Sequence, residues 1–235
     1  MIPSQPMLCY ITDRHALASG DVLPVILNAI ETRIDLIQIR EKDLGTRHLL
    51  RLAEAAVQGV HQRAARPPAL TREPTRIVVN DRLDVALAAE AGGVHLGGQS
   101  MPADAVSAVV PPGQHFWVGV SCHSPEEALA AEAAGADYAL LGPIFETPSK
   151  LAYGPPLGIG ALERAARHTR IPVLALGGIT VERVRPCIEA GAAGIAGISI
   201  FQQCASLPER VLELRQELRK AVPPATSASG PLNDS

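Results

Sequence analysis

Short apolar runs alternate with longer Ala- and Leu-rich segments along most of this chain. Each of the eight runs has the length of a strand, and most end in polar residues or glycine. Runs that are apolar throughout are typical of parallel sheets, whose two faces are both covered. Eight strand-then-helix units predict a single-domain α/β fold, a (β/α)8 TIM barrel. An open doubly wound sheet is the alternative, but the first run ends in Thr12-Asp13-Arg14 rather than in a glycine-rich turn.

The predicted strands are residues 7–12, 35–40, 76–79, 94–96, 116–120, 137–141, 171–176 and 193–198. Predicted helices cover 21–32, 46–64, 83–91 and a last segment from Ser199 to about Ala221. Pro102 and Thr180 are expected to begin two more, and Ser124 with Glu127 three residues later predicts a capping box. We expect the barrel to occupy residues 1–221 and the Pro-, Ser- and Gly-rich residues 222–235 to be a disordered C-terminal tail.

Composition argues against several classes of function. The net charge is −3 at pH 7, so a broad basic surface for nucleic acid is not expected. The four cysteines form no C-x-x-C pair, which argues against a zinc or redox motif. No signal peptide and no apolar run of membrane-spanning length are evident. We therefore expect a cytoplasmic protein without nucleic-acid or membrane partners; a homo-oligomer is possible.

The second predicted strand ends in a charged cluster, Gln38-Ile39-Arg40-Glu41-Lys42. Arg40 and Lys42 lie two residues apart and would point to the same side of an extended segment. A phosphate or diphosphate is the simplest partner for two such cations. The alternative is a solvated loop in which Glu41 neutralises a neighbouring arginine.

Other strand ends would meet this cluster, because sites in TIM barrels lie at the C-terminal ends of the strands. Asn80 and Asp81 follow the third predicted strand, and Lys150 lies in the long sixth loop. Three cations beside a carboxylate suit a diphosphate with a bound divalent metal such as Mg²⁺. Asp81 could equally cap the following helix.

A second anion site is predicted across the barrel mouth. Gly177 and Gly178 follow the seventh strand, and backbone N–H groups at Ile198 and Ser199 open the last helix. Glycines let a ligand approach the backbone, and TIM barrels often bind phosphate with these two loops. The alternative is that the glycines only make tight turns.

His123 is the one histidine at a predicted barrel mouth in a small polar setting, beside Ser121. It could take part in chemistry, or it could be a surface residue next to the helix cap. His95 lies inside a strand, so packing or an internal hydrogen bond is expected for it.

Together these segments resemble the thiamine phosphate synthase family and its relatives, the thiazole tautomerases. The resemblance runs from residue 10 to residue 199 and is carried by several motifs in order. They are Tyr10–Arg14, Gln38–Lys42, Val79–Asp81, Gly93–Gly97, Gly119–Ser121, Gly142–Phe145 with Thr147, Ser149 and Lys150, Leu176–Ile179 and Ile198-Ser199.

The resemblance implies an enzyme that joins hydroxymethylpyrimidine diphosphate to a thiazole phosphate, with diphosphate leaving. Positions that hold the pyrimidine and its diphosphate correspond to Gln38, Arg40, Lys42, Asn80 and Lys150. Asp81 corresponds to a magnesium ligand, and Ser121 to a residue near the leaving group. The thiazole phosphate positions correspond to Thr147, Ser149, Gly178, Ile198 and Ser199.

Two positions depart from the synthase pattern. Ser100 stands where synthases usually have the aspartate that is the second magnesium ligand, and Glu146 stands where they usually have proline. Both resemble the tautomerase branch, in which a histidine at the position of His123 transfers protons. The cations Arg40, Lys42 and Lys150 favour the synthase. A barrel that binds a thiazole or thiamine phosphate without catalysis is a third reading.

Overall fold

A closed barrel of eight parallel strands forms the centre of the computed structural model, which describes residues 5–66, 73–110, 115–147 and 155–221. The strands are β1 (Met7–Ile11), β2 (Leu36–Ile39), β3 (Arg76–Asn80), β4 (Gly93–Leu96), β5 (Trp117–Cys122), β6 (Tyr138–Leu141), β7 (Val173–Leu176) and β8 (Gly194–Gly197). They pair in chain order, and β8 closes on β1. The predicted TIM barrel is confirmed.

Helices surround the barrel. They are α1 (Leu23–Glu31), α2 (Thr46–Ala64), α3 (Leu83–Ala88), α4 (Ala103–Ser107), α5 (Pro125–Ala133), α6 (Gly158–His168), α7 (Val181–Glu189), α8 (Ser199–Gln202) and α9 (Leu207–Ala221). A 3-10 turn at Arg14–Ala16 follows β1. None of the described helices combines the length and the apolar character that a bilayer span requires.

The single final helix predicted from Ser199 to Ala221 is wrong. The chain forms α8, leaves the helix at Gln203, and begins α9 at Leu207. Pro208 has no N–H to donate, so a helix running through it would lose a hydrogen bond and clash one turn back. In the first turn of α9 the same proline is tolerated. The predicted tail, residues 222–235, lies outside the described residues, and the division at 221 stays a prediction.

Alternation along the strands divides the core into two layers. An inner cluster fills the barrel, with Cys9, Leu36, Val78, Leu140 and Leu174 among its members. A larger cluster lies between strands and helices. Toward the C-terminal ends of the strands the buried residues become polar, and this change marks the barrel mouth as the place to look for chemistry.

Two carboxylates fix the strands at the opposite end of the barrel. Asp35 accepts the backbone N–H of Leu8 at 2.7 Å and a guanidinium N–H of Arg215 at 2.7 Å, which joins α9 to β1 and β2. Asp137 accepts the backbone N–H of Val118 at 2.7 Å. These bonds hold the strand starts in register and leave the mouth for ligands.

Candidate active site

Glu41, at the exit of β2, organises the charged cluster. Its buried carboxylate accepts the hydroxyl of Thr12 at 2.6 Å, the backbone N–H of Arg14 at 3.1 Å and the Arg14 guanidinium at 3.4 Å. Thr12 Oγ1 in turn accepts the backbone N–H of Arg40 at 2.9 Å. The ionic partner of Glu41 is therefore Arg14, from the loop after β1, and not a cation of its own segment.

Arg14 also engages the other carboxylate near the cluster. It pairs with Asp43, which additionally lies 3.0 Å from the imidazole Nε2 of His15. The Arg14 guanidinium holds the pKa of the Asp43 carboxyl well below its usual range. Over the described part of the chain, neither Arg40 nor Lys42 has a carboxylate partner. Arg40 is half-buried and Lys42 exposed, so both cations can meet an anionic ligand.

A hydrogen-bonded chain runs from Gln38 to Asp81 along the mouth. Gln38 Nε2 donates to Asn80 Oδ1 at 2.9 Å, and Asn80 Nδ2 donates to Asp81 Oδ2 at 2.7 Å. Gln38 is only 2% exposed, and its Oε1 has no hydrogen-bond partner among the described residues. A buried acceptor without a partner is costly, so this oxygen is suited to an N–H of a ligand.

Asp81 lies between the exits of β3 and β4. Its backbone is in the left-handed region at φ 61°, and its Oδ1 accepts the Ser100 hydroxyl and, at 3.3 Å, the Gly97 N–H. It makes no side-chain hydrogen bond to α3, whose N-cap is Arg82. The alternative that Asp81 caps α3 is therefore wrong, and the carboxylate belongs to the mouth.

Few ligands for a metal lie around Asp81. The described residues contain no group of three or more His, Cys, Asp or Glu that could hold an ion. One carboxylate beside the hydroxyl of Ser100 still fits Mg²⁺, which commonly takes one or two carboxylates and completes its shell with substrate phosphates and water. Such a site would depend on the ligand for most of its oxygens.

His95 is buried inside the barrel below Ser121. Its Nε2 lies 2.9 Å from Ser121 Oγ and its Nδ1 lies 3.1 Å from the hydroxyl of Tyr138. Burial lowers the pKa of the imidazole to about 3, so it is neutral at physiological pH. The internal hydrogen bond expected for His95 is confirmed.

His123 lies at the start of α5 and is half-exposed. Its backbone N–H donates to Glu127 Oε2 at 2.6 Å, and its ring Nδ1 lies 3.5 Å from the same oxygen. Ser124 caps α5 as predicted, accepting the Glu127 N–H at 3.1 Å. The capping box differs from the prediction because the Glu127 carboxylate bonds His123 rather than Ser124. The catalytic role of His123 stays a prediction.

The loops after β7 and β8 build the second predicted anion site. Gly177 and Gly178 both have positive φ, at 94° and 63°. A side chain at Gly178 would collide with the carbonyl of Glu146, so this turn requires glycine. Ile198 precedes α8, whose first-turn N–H groups, beginning with Ser199, have no acceptor within the helix.

Arg183 is a residue of this region that sequence reasoning missed. Its Nη1 donates to the Gly178 carbonyl at 2.7 Å, and its guanidinium lies 4.6 Å from the ring centroid of Phe145. Arg183 thus joins α7 to the β6 and β7 loops and fixes the Gly178 peptide. Nothing in the local sequence distinguishes it from Arg185, the other arginine of α7.

The sixth loop is described only in part. Thr147 is half-buried at the end of the described segment and has a polar partner. Ser149 and Lys150 lie outside the described residues. Their assignment to the thiazole phosphate and the diphosphate therefore rests on the sequence.

Comparison with known proteins agrees with this geometry. A family model described as thiamine monophosphate synthase matches residues 8–201. The thiamine-phosphate synthase of Chlorobium luteolum is 41% identical over 212 residues, covering 90% of this chain and 92% of the relative. That of Roseiflexus castenholzii is 40% identical over 189 residues, covering 80% of this chain and 78% of the relative.

A solved structure is similar throughout. Thiamine phosphate pyrophosphorylase from Pyrococcus furiosus superposes with a TM-score of 0.78 at 30% identity, covering 92% of this chain and 97% of that chain. The family match spans the strand ends described above, from the loop after β1 to the start of α8. The chain therefore belongs to the thiamine monophosphate synthase family.

Proposed function

We propose that this protein is a thiamine-phosphate synthase, a transferase of thiamine biosynthesis. It joins hydroxymethylpyrimidine diphosphate to a thiazole phosphate or carboxythiazole phosphate and releases diphosphate. The observation that carries the proposal is a pair of cations, Arg40 and Lys42, that have no carboxylate partner among the described residues, because Glu41 is bound by Arg14 instead. The proposal is supported by relatives that are named thiamine-phosphate synthase and are similar to this chain over most of their length.

The pyrimidine would bind at the hydrogen-bonded chain. Gln38 Oε1, which has no partner in the part of the chain that the structure describes, accepts an amino N–H of the pyrimidine, while Asn80 holds the Gln38 amide in place. The enzyme should therefore reject rings that lack this amino group, because the buried Gln38 oxygen would then stay unpaired.

Departure of diphosphate is the difficult step. The bond between the pyrimidine methylene carbon and the diphosphate oxygen breaks, and its electron pair leaves with diphosphate. Arg40, Lys42 and Lys150 stabilise the charge that accumulates there. Mg²⁺, held by Asp81 and Ser100, would neutralise part of the diphosphate charge. The thiazole nitrogen then gives its lone pair to the methylene carbon and forms the new C–N bond.

The second substrate would lie across the mouth. The hydroxyls of Thr147 and Ser149 and the backbone at Gly177, Gly178, Ile198 and Ser199 bind its phosphate. Two separate anion sites hold the reacting atoms side by side, and this turns an encounter of two molecules into a reaction within one complex.

Incubation of the purified protein with both substrates and Mg²⁺ tests the proposal. We expect thiamine phosphate and diphosphate in equal amounts. Arg40→Ala and Lys42→Ala should each lower kcat/KM about a hundredfold, the loss typical of an electrostatic contact made in the transition state. Arg47→Ala, which removes an exposed cation of α2, is the matched control and should match wild type. No thiamine phosphate above the enzyme-free background overturns the proposal.

A thiazole tautomerase is the second candidate, and the hydroxyl of Ser100 favours it. This hydroxyl occupies Asp81 Oδ1 where a second carboxylate would serve the metal. In that enzyme His123 would act as general acid–base on a thiazole carboxylate phosphate. His123→Ala should abolish tautomerisation, as monitored by NMR, but should only weaken thiamine phosphate formation. Absence of both activities in wild type would leave a binding barrel.

A further inference from the structure

The barrel interior contains a polar assembly that the proposed reaction does not yet use. His95 of β4 is 1% exposed and Tyr138 of β6 is fully buried, with ring centroids 5.6 Å apart. Gly119 lies between them on β5, paired with His95 on one side and Tyr138 on the other. A side chain at Gly119 would collide with the Tyr138 ring. The missing side chain gives the tyrosine its route across the barrel to His95.

The direction of the hydrogen bonds follows from counting donors. Over the described part of the chain, the Tyr138 hydroxyl has one hydrogen-bond partner, His95 Nδ1 at 3.1 Å. If this hydroxyl accepted, its own proton would be buried without an acceptor, which is the costlier arrangement. Tyr138 therefore donates to Nδ1. Burial raises the pKa of Tyr138 well above its usual value, so the phenol keeps the proton that it donates.

The neutral imidazole then has its own proton on the other nitrogen. With Nδ1 as an acceptor, Nε2–H donates to Ser121 Oγ at 2.9 Å. The Ser121 hydroxyl accepts this bond and keeps its own O–H, which no described residue accepts. Ser121 is half-buried at the end of β5, where the mouth begins.

We propose that His95 is a positioning residue that sets Ser121 as a hydrogen-bond donor toward the diphosphate leaving group. The inference rests on the proposed function, because the diphosphate leaving group of that reaction is the acceptor of the hydrogen bond from Ser121. Tyr138 selects the imidazole tautomer, His95 occupies a lone pair of Ser121, and the Ser121 O–H is left to donate as negative charge grows on the departing oxygen. No proton is transferred along the chain; each group keeps the one it has.

Three variants of His95 test this arrangement. His95→Leu removes the donor to Ser121 and should lower kcat about ten- to a hundredfold, as losses of groups that orient a reacting residue do. KM should stay within about twofold, because the bond matters when the leaving group gains charge. His95→Gln places an amide N–H near the position of Nε2 and should recover most of the loss, whereas His95→Asn, whose amide is near Nδ1, should not.

A double-mutant cycle separates positioning from a general structural role. In a Ser121→Ala background, His95→Leu should change kcat by less than about twofold, because the group through which it acts is gone. If the loss of kcat in the double variant equals the product of the losses in the two single variants, the proposal is overturned. Equal activity of His95→Gln and His95→Leu also overturns it. Thermal unfolding of each variant shows that the comparison is made between folded proteins.

The tautomer can be measured on the wild-type protein without any assay of activity. Histidine ¹⁵N chemical shifts at pH 7 should report a neutral His95 with its proton on Nε2. A proton on Nδ1 overturns the proposal. A wild type without synthase activity instead overturns the proposed function, and the shifts still decide the arrangement.

Discussion

At the scale of single residues, Glu41 determines what the charged cluster of β2 can bind. A carboxylate between two cations would ordinarily neutralise one of them. In this fold the loop after β1 brings Thr12 and Arg14 to Glu41. The carboxylate oxygens of Glu41 therefore bind Thr12 and Arg14 and not Arg40 or Lys42. The same contacts anchor the Arg40 peptide through Thr12. The acidic residue of the motif thereby positions its basic neighbours.

Glu41→Gln should therefore damage both stability and substrate binding. The amide retains the shape but loses the charge that faces Arg14, and its NH2 group cannot accept the hydrogen bonds that one carboxylate oxygen accepted. We expect the free energy of unfolding, from urea denaturation, to fall by about 3 kcal/mol, the range for breaking one partner of a buried ion pair. KM for the pyrimidine diphosphate should rise about tenfold as the Arg40–Lys42 segment loosens.

Asp43→Asn is the matched control, because it removes the exposed carboxylate that Arg14 also binds. Exposed ion pairs contribute little to stability, so this variant should stay close to wild type in both measurements. A Glu41→Gln protein with unchanged KM would contradict the anchoring role of Glu41.

Ser100→Asp should lower the Mg²⁺ concentration that gives half-maximal activity. The substitution places a second carboxylate beside Asp81, and Mg²⁺ binds two carboxylates better than a carboxylate and a hydroxyl. Calorimetric titration of Mg²⁺ in the presence of diphosphate measures the same change without turnover. Gln99→Asp, an exposed position of the same loop, is the control. An unchanged Mg²⁺ requirement would mean that residue 100 faces away from the metal.

Sequence reasoning predicted several polar residues at the barrel mouth but not their hydrogen-bond partners. Asn80 and Asp81 follow a strand, so their place at the mouth could be predicted, as could the internal bond of His95. The contacts of Glu41 with Arg14 and of Arg183 with Phe145 join residues that are far apart in the chain. Local sequence contains no signal of which loops will touch, because that depends on how the closed barrel brings them together.

At the scale of elements, one side chain joins α9 to the start of the chain. Arg215 donates to Asp35 at 2.7 Å, to the Arg33 carbonyl at 3.0 Å and to the Pro6 carbonyl at 3.2 Å. One planar guanidinium thus ties the last helix to the chain before β1 and before β2. The last described helix is therefore held by residues near the start of the sequence.

Arg215→Lys should destabilise the protein by about 2 kcal/mol, because an ammonium cannot reproduce the fork and leaves partly buried acceptors unpaired. Urea denaturation measures the loss. Arg219→Lys makes the same exchange on an exposed turn of α9 and should be neutral. Equal effects of the two exchanges would mean that the fork does not hold α9.

Helices were predicted correctly from the sequence where the spacing of apolar residues and a local capping residue determine their limits. The limits of α2, residues 46–64, agree with its spacing of apolar residues, and Ser124 caps α5 as its position indicates. The prediction failed at α8 and α9, where a continuous apolar pattern concealed the break before Pro208. Apolar spacing reports which face is buried and not whether the backbone stays helical through every residue.

At the scale of the whole molecule, the barrel is layered from an apolar base to a polar mouth. Alternation along the strands predicts which residues share a face, but it does not show that His95, Tyr138 and Ser121 meet inside. That contact depends on the stagger of three strands and on the space at Gly119. The resulting layer places a neutral imidazole in the core, and this affects the stability of the entire fold.

Acid should therefore destabilise this protein through His95. Burial holds the pKa of the folded-state imidazole at about 3, so the unfolded chain binds a proton near pH 6.5 that the folded chain does not. Stability is complete above pH 6.5 and is lost as the pH falls toward 3. At pH 5 the loss from this group is about 2 kcal/mol, since each pH unit below 6.5 contributes about 1.4 kcal/mol. Urea denaturation at pH 7 and pH 5 should show that His95→Gln loses less stability than wild type by this amount. His61→Gln, at an exposed position of α2, should follow wild type, and a parallel decline of all three proteins would mean that His95 takes up its proton in the folded state.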